Sequence, residues 1–205
     1  MVHFYSAIFD DCTTVFWCSF ALPFTYKEQD PEKVNKYLQE IAQLNKDDFV
    51  YIDESGIGKD TIQMDFWMKK GEIKKVKVAG KRAKRINAIA ASTTKGIQAP
   101  FLYDGSCNSD LFIQYVEAVL CPILKPGQVV IMDNASFHKA KKVKELIEEK
   151  HCRLIYLPPY SPEHNPIEHY WAILKKAVKQ VRKKIVDVWE SISLAIELTQ
   201  KFRQS

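Results

Sequence analysis

A chain of 205 residues with 46% hydrophobic and 27% charged residues has the size and composition of one well-packed domain, not of a disordered segment. The most apolar stretch, residues 13–24, is shorter than the roughly 18 residues that a membrane span requires. Two acidic residues, Asp10 and Asp11, precede it where a secretory signal needs positive charge. Five cysteines occur singly, which favours reduced thiols over a disulfide framework. We therefore expect a cytoplasmic protein that does not contact the membrane.

The net charge of +5 is modest, but the basic residues are clustered. Residues 69–85 are dominated by Lys and Arg, with Glu72 as the one acid, and residues 175–184 contain basic residues and no acid. Such blocks fit either an ordinary solvated surface or a polyanionic partner. The second interpretation is favoured if the blocks flank a catalytic site.

The first half of the chain predicts one helix followed by extended segments. Residues 1–24 are aromatic-rich, show no period and are expected to lie outside the fold. Asp30 and Pro31 read as an N-cap and first helical residue, and the apolar spacing that follows predicts a helix over 31–44. The next apolar run predicts a strand over 49–52 that ends in Asp53. Further extended segments are predicted at 73–79, 85–92 and 98–103, separated by glycines.

The second half alternates helices and strands. Asn108 is predicted to cap a helix that runs to about Leu124. The continuous apolar run Val129–Met132 is typical of a strand buried on both faces, as in a parallel sheet. The elements predicted after it are an amphipathic helix around 140–147, a strand at 153–157, a proline-rich loop at 158–166, a long helix with apolar residues from Ile167 to Ile185, and a last helix at 187–202. This order predicts an α/β fold, a mixed sheet covered by helices.

Three acidic residues stand out by their positions. Asp53 and Asp133 each end a predicted strand, where ligand sites gather in such sheets, and Glu168 lies in the first turn of the long helix. Taken singly, each has an ordinary structural explanation, because acids are common in turns and at helix N-termini. Their neighbouring residues decide between the two readings.

The three acids lie in distinctive motifs. Asp53 lies in Tyr-Ile-Asp-Glu-Ser-Gly, Asp133 in Met-Asp-Asn-Ala-Ser-Phe-His, and Glu168 in Leu-Pro-Pro-Tyr-Ser-Pro-Glu-His-Asn-Pro-Ile-Glu-His-Tyr-Trp. Thirty-four residues separate Asp133 from Glu168. Over about residues 24–185 the chain strongly resembles the mariner-like superfamily of bacterial insertion-sequence transposases, which carry a DDE endonuclease domain.

The resemblance implies a ribonuclease H-like fold, a mixed five-stranded sheet flanked by helices, over residues 25–186, followed by a C-terminal helix over 187–205. It also implies that Asp53, Asp133 and Glu168 are both the catalytic residues and the ligands of two Mg²⁺ ions, for which Mn²⁺ can substitute. Hard carboxylate oxygens suit these ions, and without cations three close carboxylates would repel one another. The implied reaction is DNA cleavage and strand transfer, with element ends and target DNA as partners, together with a homodimer mate or a partner transposase subunit.

Other residues are predicted to support these three. Glu54 is expected to support the metal-binding carboxylates from behind, with a solvent-facing position as the alternative. Asn134, His138 and Asn165 are expected to orient the carboxylates or to contact DNA. For His138 a catalytic base and a structural hydrogen-bonding role are both open, and Trp171 is expected to be core. The candidate DNA contacts are Lys175, Lys179 and Arg182, which share a helix face with Glu168, and Lys81, Arg82 and Arg85 of the first basic block. These basic residues could instead serve solubility alone.

The chain also departs from the family it resembles. Residues 1–48 predict no helix-turn-helix module, and Gln63 and Phe66 occupy places where family members tend to have Arg and Gly. We therefore expect a transposase catalytic domain without its DNA-recognition part. One alternative is an inactive or co-opted remnant that only binds DNA or a transposase partner. Another is a ribonuclease H-like nuclease or resolvase that cleaves without joining.

Overall fold

The computed structural model describes residues 26–58, 85–185 and 187–201. The predicted segment 1–24, the predicted strand 73–79 and the candidate DNA contacts Lys81 and Arg82 lie outside these ranges, as do Gln63 and Phe66. No helix within the described ranges combines the length and the apolar composition that a bilayer crossing demands.

The strands form one mixed sheet, as predicted. They are β1 (Phe49–Ile57), β2 (Ile86–Thr93), β3 (Gly96–Asp104), β4 (Val129–Met132) and β5 (Arg153–Tyr156), in the spatial order β3-β2-β1-β4-β5. Strand β2 pairs antiparallel with both β1 and β3, whereas β4 runs parallel to both β1 and β5. The predicted five-stranded mixed sheet is therefore confirmed.

The helices lie close to their predicted positions. They are α1 (Pro31–Ala42), α2 (Ser109–Tyr115), α3 (Lys141–Glu149), α4 (Ile167–Val181) and α5 (Val188–Lys201). The side chains of Asp30 and Asn108 accept hydrogen bonds from first-turn amides of α1 and α2, as predicted for N-caps. Helix α2 continues as a π-helical turn over Val116–Leu120. Helix α4 ends one turn before the predicted Ile185, but the Ile185 amide still donates to the Val181 carbonyl at 3.1 Å, so the backbone makes one further turn past the helix end.

Strand β4 demonstrates how the layers are arranged, because both of its faces are covered. Val130 and Met132 pack into the cluster that α2 and α3 form on one face of the sheet. Val129 and Ile131 point to the opposite face, where they pack against Tyr37 of α1. Helices α4 and α5 cover the rest of that second face. The predicted strand buried on both faces is confirmed.

The predicted end of β1 at Asp53 is wrong. The strand continues to Ile57 because β2 pairs with it as far as that residue, whereas its parallel pairing with β4 stops at Ile52 and Met132. Asp53 therefore lies in the middle of the antiparallel ladder and one residue beyond the parallel one. It still neighbours the carboxyl end of β4, which Asp133 follows directly.

Candidate active site

One cleft of about 390 Å³ brings the three predicted acids together. It opens beyond the carboxyl ends of β4 and β5, where sheets of this kind place their ligand sites. Its lining residues are Asp53, Asp133, Asn134, Leu157, Pro158, Pro159, Tyr160, Ser161, Pro162, Asn165 and Glu168. Residues that lie 115 positions apart in the sequence thus face one space.

Asp53 is the buried acid of the cleft. Its side chain lies on the α4 face of the sheet, where the Trp171 indole N–H donates a hydrogen bond to Oδ2 at 3.0 Å. Only 9% of the residue is exposed. Burial, followed by the negative charges of Glu168 and Glu54, raises the pKa of Asp53 to about 7 despite that hydrogen bond. This part of the cleft is therefore short of positive charge.

Asp133 is the paired acid. Its Oδ1 accepts hydrogen bonds from the Ala135 amide at 2.9 Å and from Nδ1 of His138 at 2.6 Å. Partial burial alone would raise the pKa of Asp133, but these two hydrogen bonds and the charge of His138 hold it below its usual range. Asp133 is therefore ionised and held in one orientation.

His138 joins two carboxylates from opposite sides. It lies in a 3₁₀ turn (Ser136–Lys139), is fully buried, and contacts the rings of Phe112 and Phe137 at centroid distances of 4.4 and 4.6 Å. While Nδ1 contacts Asp133, Nε2 contacts Glu54 Oε1 at 2.8 Å. Burial disfavours the charged ring, yet the two carboxylates outweigh it and raise the pKa of His138 to about 9. Both ring nitrogens are thus engaged, an arrangement that favours the structural role over a catalytic base.

Glu168 reaches the cleft from the exposed first turn of α4. Its amide donates to the Asn165 carbonyl at 3.2 Å, which joins the helix to the proline-rich loop before it. Asn134 donates from its side-chain amide to the Leu157 carbonyl and so joins the end of β4 to the start of that loop. Asn165 is 5% exposed, and its Oδ1 has no hydrogen-bond partner among the described residues.

The candidate DNA contacts in the described ranges lie on two elements. Lys175, half-buried, and Lys179, exposed, share α4 with Glu168, and Arg182 follows at the C-cap. Arg85 is exposed just before β2, and its guanidinium lies across Gly56, where a Cβ would meet Arg85 Nε at 1.4 Å. Arg85 can adopt this position because residue 56 is glycine.

The donor chemistry of the cleft fits a divalent cation. Three carboxylates and the Asn165 side-chain carbonyl offer only oxygen, and burial together with the charges of Glu168 and Glu54 raises the pKa of Asp53, which a bound cation would lower again. Within residues 26–58, 85–185 and 187–201, however, no group of three or more His, Cys, Asp or Glu side chains is arranged to hold a metal ion.

Sequence reasoning missed one residue of the site. Trp171 was expected to be core, and it does pack into the cluster beneath α4, yet its indole also binds Asp53. Two signals could have indicated this contact. A buried indole N–H almost always finds an acceptor, and Trp171 lies three residues after Glu168, on the neighbouring face of the same helix.

Comparison with known proteins identifies the family. Residues 48–188 match the DDE superfamily endonuclease model. The Tcb2 transposase of Caenorhabditis briggsae is 33% identical over 72 residues, which cover 31% of this chain and 26% of that protein. The 39 kDa protein of insertion element IS630 from Shigella sonnei is 25% identical over 179 residues, which cover 82% of this chain and 51% of that protein. The chain thus spans about half, or less, of the length of these relatives.

The fold has a solved counterpart. The structure of the Mos1 mariner paired end complex with Mn superposes with a TM-score of 0.57 at 16% identity, covering 84% of this chain and 59% of that one. This likeness confirms the predicted ribonuclease H-like fold. Since the family model matches more than half of the residues, the chain belongs to the DDE superfamily of endonucleases, as a transposase-type catalytic domain.

Proposed function

We propose that this domain cleaves and rejoins DNA strands at the cleft, with Asp53, Asp133 and Glu168 as metal ligands. The observation that carries the proposal is that all three carboxylates line one cleft, although they arise from β1, the end of β4 and the start of α4. The Tcb2 relative is a transposase, and the Mos1 counterpart is a paired end complex with Mn, which supports both the reaction and the ion.

The proposed cofactor is a pair of Mg²⁺ ions, with Mn²⁺ as a substitute. Bound divalent ions supply Lewis acidity, which activates the attacking oxygen and stabilises the leaving oxygen of an in-line displacement at phosphorus. The protein's part is orientation. Trp171 fixes Asp53, His138 fixes Asp133, and the first turn of α4 presents Glu168. The open Oδ1 of Asn165 offers a further acceptor for a water molecule of the ion's shell.

We propose that DNA runs along α4. At 1.5 Å per residue, Lys175 and Lys179 lie about 10 and 16 Å beyond Glu168, on nearly the same face of the helix. Cations spaced in this way can hold a phosphodiester backbone beside the metal ligands without reading its sequence. Arg182 extends this row, and Arg85, with Lys81 and Arg82 of the same basic block, would contact a second stretch of backbone. The homodimer mate or partner transposase subunit, like the cytoplasmic location, stays a prediction.

The test is a nicking and strand-transfer assay on supercoiled plasmid with Mg²⁺, Mn²⁺ or Ca²⁺. Asp133→Asn and Glu168→Gln should keep the fold and lose both reactions by at least a thousandfold, as expected for several kcal/mol of transition-state stabilisation. Asp110→Asn, an exposed acid in the first turn of α2, is the matched control and should remain active. Undiminished nicking by Asp133→Asn would overturn the proposal.

The same assay separates the alternatives. A domain that cleaves but never joins strands would be the nuclease or resolvase. The inactive or co-opted remnant is the other alternative. It predicts DNA binding with no nicking under any of the three metals.

A further inference from the structure

The loop that delivers Glu168 forms few hydrogen bonds of its own that would fix its position on the domain, although its prolines restrict the backbone. Residues 157–166 contain four prolines, which have no amide hydrogen to donate. The hydrogen bonds within the loop are local ones, from Ser161 Oγ to the Pro159 carbonyl at 3.2 Å and from the amides of His164 and Asn165. Tyr160 adopts φ +56°, a left-handed conformation that costs a non-glycine residue on the order of 1 kcal/mol. External contacts must therefore fix this loop.

Gln29 supplies such a contact from the other end of the chain. Its side-chain amide Nε2 donates to Ser161 Oγ at 2.9 Å, to the Tyr160 carbonyl at 3.3 Å and to Glu163 Oε1. Two amide hydrogens are thus shared among three acceptors on the loop, including the carbonyl of the strained residue itself. Ser161 is 4% exposed, so its hydroxyl is satisfied from within the protein.

Gln29 is held in place by helix α1. It directly precedes Asp30, whose side chain caps α1, and Tyr37 of α1 is buried against β1, β4 and β5. Two ring contacts accompany the hydrogen bonds, Tyr26 with Tyr160 at 6.3 Å and Tyr37 with His164 at 5.9 Å. The loop is therefore docked onto a helix that the sheet itself holds in place.

The contact leads to Glu168 through successive main-chain hydrogen bonds. The Asn165 amide donates to the Pro162 carbonyl at 2.9 Å, and the Glu168 amide donates to the Asn165 carbonyl at 3.2 Å. Pro162 lies between two of the residues that Gln29 contacts, Ser161 and Glu163. A shift of the docked segment would therefore tilt the first turn of α4.

We propose that Gln29 is a positioning residue for Glu168. By holding residues 160–163 against α1, it sets the direction in which Glu168 and the open Asn165 carbonyl face the cleft. This inference rests on the proposed role of Glu168 as a metal ligand. A purely structural contact would stabilise the loop without changing what the cleft binds.

The test compares Gln29→Glu with Gln29→Ala and with Gln43→Ala. Gln29→Glu keeps the shape of the side chain but removes both donor hydrogens and faces Glu163, whereas Gln43 is exposed at the other end of α1. Two quantities are measured on DNA-free protein: amide hydrogen exchange at Asn165 and Glu168, and Mn²⁺ affinity by electron paramagnetic resonance. Both Gln29 variants should speed exchange at these amides and weaken Mn²⁺ binding by roughly tenfold, the lower end of the effect expected for an outer partner of a metal site. Gln43→Ala should change neither.

The exchange rates and the Mn²⁺ affinities together decide whether Gln29 positions Glu168. Unchanged exchange at Asn165 and Glu168 would overturn the inference, because the contact would then not fix the loop. Faster exchange with wild-type Mn²⁺ affinity would also overturn it and leave Gln29 as a structural contact. The proposed function itself would fall if the wild-type protein bound no Mn²⁺, or if Glu168→Gln bound it as tightly as wild type. Neither result depends on the Gln29 variants, so the two failures can be told apart.

Discussion

Asp53 and Asp133 lie at neighbouring positions of one sheet, yet the protein treats their charges in opposite ways. Asp133 is matched by the buried imidazolium of His138 and has a lowered pKa. Asp53 is buried beside Glu168 and Glu54 and has a pKa raised to about 7. The same residue type is thus stabilised as an anion directly after β4 and penalised as an anion within β1.

The two faces of the sheet account for this difference. Asp53 points to the face covered by α4, which brings the apolar ring of Trp171 and the carboxylate of Glu168. Glu54, the next residue, points to the face covered by α2 and α3, where His138 is buried. The protein therefore supplies the Asp133 half of the site with its own cation and the Asp53 half with none.

The largest effect is expected from His138→Ala in chelator-treated protein. It leaves the mostly buried Glu54 and the half-exposed Asp133 without their shared partner. Breaking a buried ion pair in this way typically costs about 3–5 kcal/mol, and the exposure of Asp133 places the expected loss near the lower end. Because the folded-state pKa of His138 is raised to about 9, its contribution is complete below the unfolded pKa of about 6.5 and is lost as the pH rises through 9. Urea unfolding at pH 6 and pH 10 should show a large gap from wild type at the lower pH and a smaller one at the higher.

The control for this prediction is His169→Ala, which removes an exposed histidine from α4 and should change the free energy of unfolding by less than about 0.5 kcal/mol. A His138→Ala variant as stable as the control at pH 6 would mean that His138 does not hold the Asp133 half together.

Smaller changes in the free energy of unfolding, of opposite sign, are expected from Asp53→Asn and Asp133→Asn in the absence of metal. The raised pKa of Asp53 costs the wild-type protein stability as the pH rises from about 4 through 7, so Asp53→Asn should be more stable at pH 8, by about 2–4 kcal/mol at most. Asp133→Asn weakens a charged hydrogen bond to His138 at a half-exposed carboxylate and should be less stable by about 1–2 kcal/mol. The measurement is urea unfolding at pH 5 and pH 8 in chelator.

Changing the pH and adding metal show whether the charge of Asp53 causes the gain in stability of Asp53→Asn. At pH 5 the gain of Asp53→Asn should shrink, because Asp53 is then mostly protonated in the folded wild type. Saturating Mg²⁺ should stabilise wild type and not the variant. If both substitutions changed the free energy of unfolding in the same direction at pH 8, the proposed difference between the two halves of the site would be wrong.

The two halves of the site, around Asp133 and around Asp53, differ in how much of them the sequence alone could predict. The strand Val129–Met132 and Asp133 after it were predictable, because an unbroken apolar run is required wherever both faces of a strand are buried. The end of β1 was not, since it depends on pairing with β2, which a long intervening segment separates from it. Glu168 was predictable from the proline-rich motif and the apolar spacing of α4.

The contacts that set the charge of each acid were beyond sequence reasoning. His138 and Glu54 lie 84 positions apart, and Trp171 and Asp53 lie 118 apart. Their pairing follows from sheet register and from the packing of α2 and α4, which no local pattern encodes. The family motifs identified His138 as a candidate, but they did not indicate that it bridges two carboxylates.

The smallest effect is expected from Glu54→Gln, which touches both halves at once. Glu54 raises the pKa of His138 through a hydrogen bond and raises the pKa of Asp53 through its charge. Glutamine keeps an acceptor for His138 Nε2 but removes the charge, so both pKa values should fall, each by about one unit or less. The two shifts act oppositely on the free energy of unfolding near pH 7, because one weakens a favourable ion pair and the other relieves the unfavourable burial of a charge. The net change should stay below about 1 kcal/mol.

Nuclear magnetic resonance titration of the His138 ring and the Asp53 carboxyl measures both pKa shifts, with the exposed Glu117→Gln as control. A shift at His138 without one at Asp53 would mean that the two faces of the sheet are electrostatically separate, and the raised pKa of Asp53 would then have to come from burial and Glu168 alone.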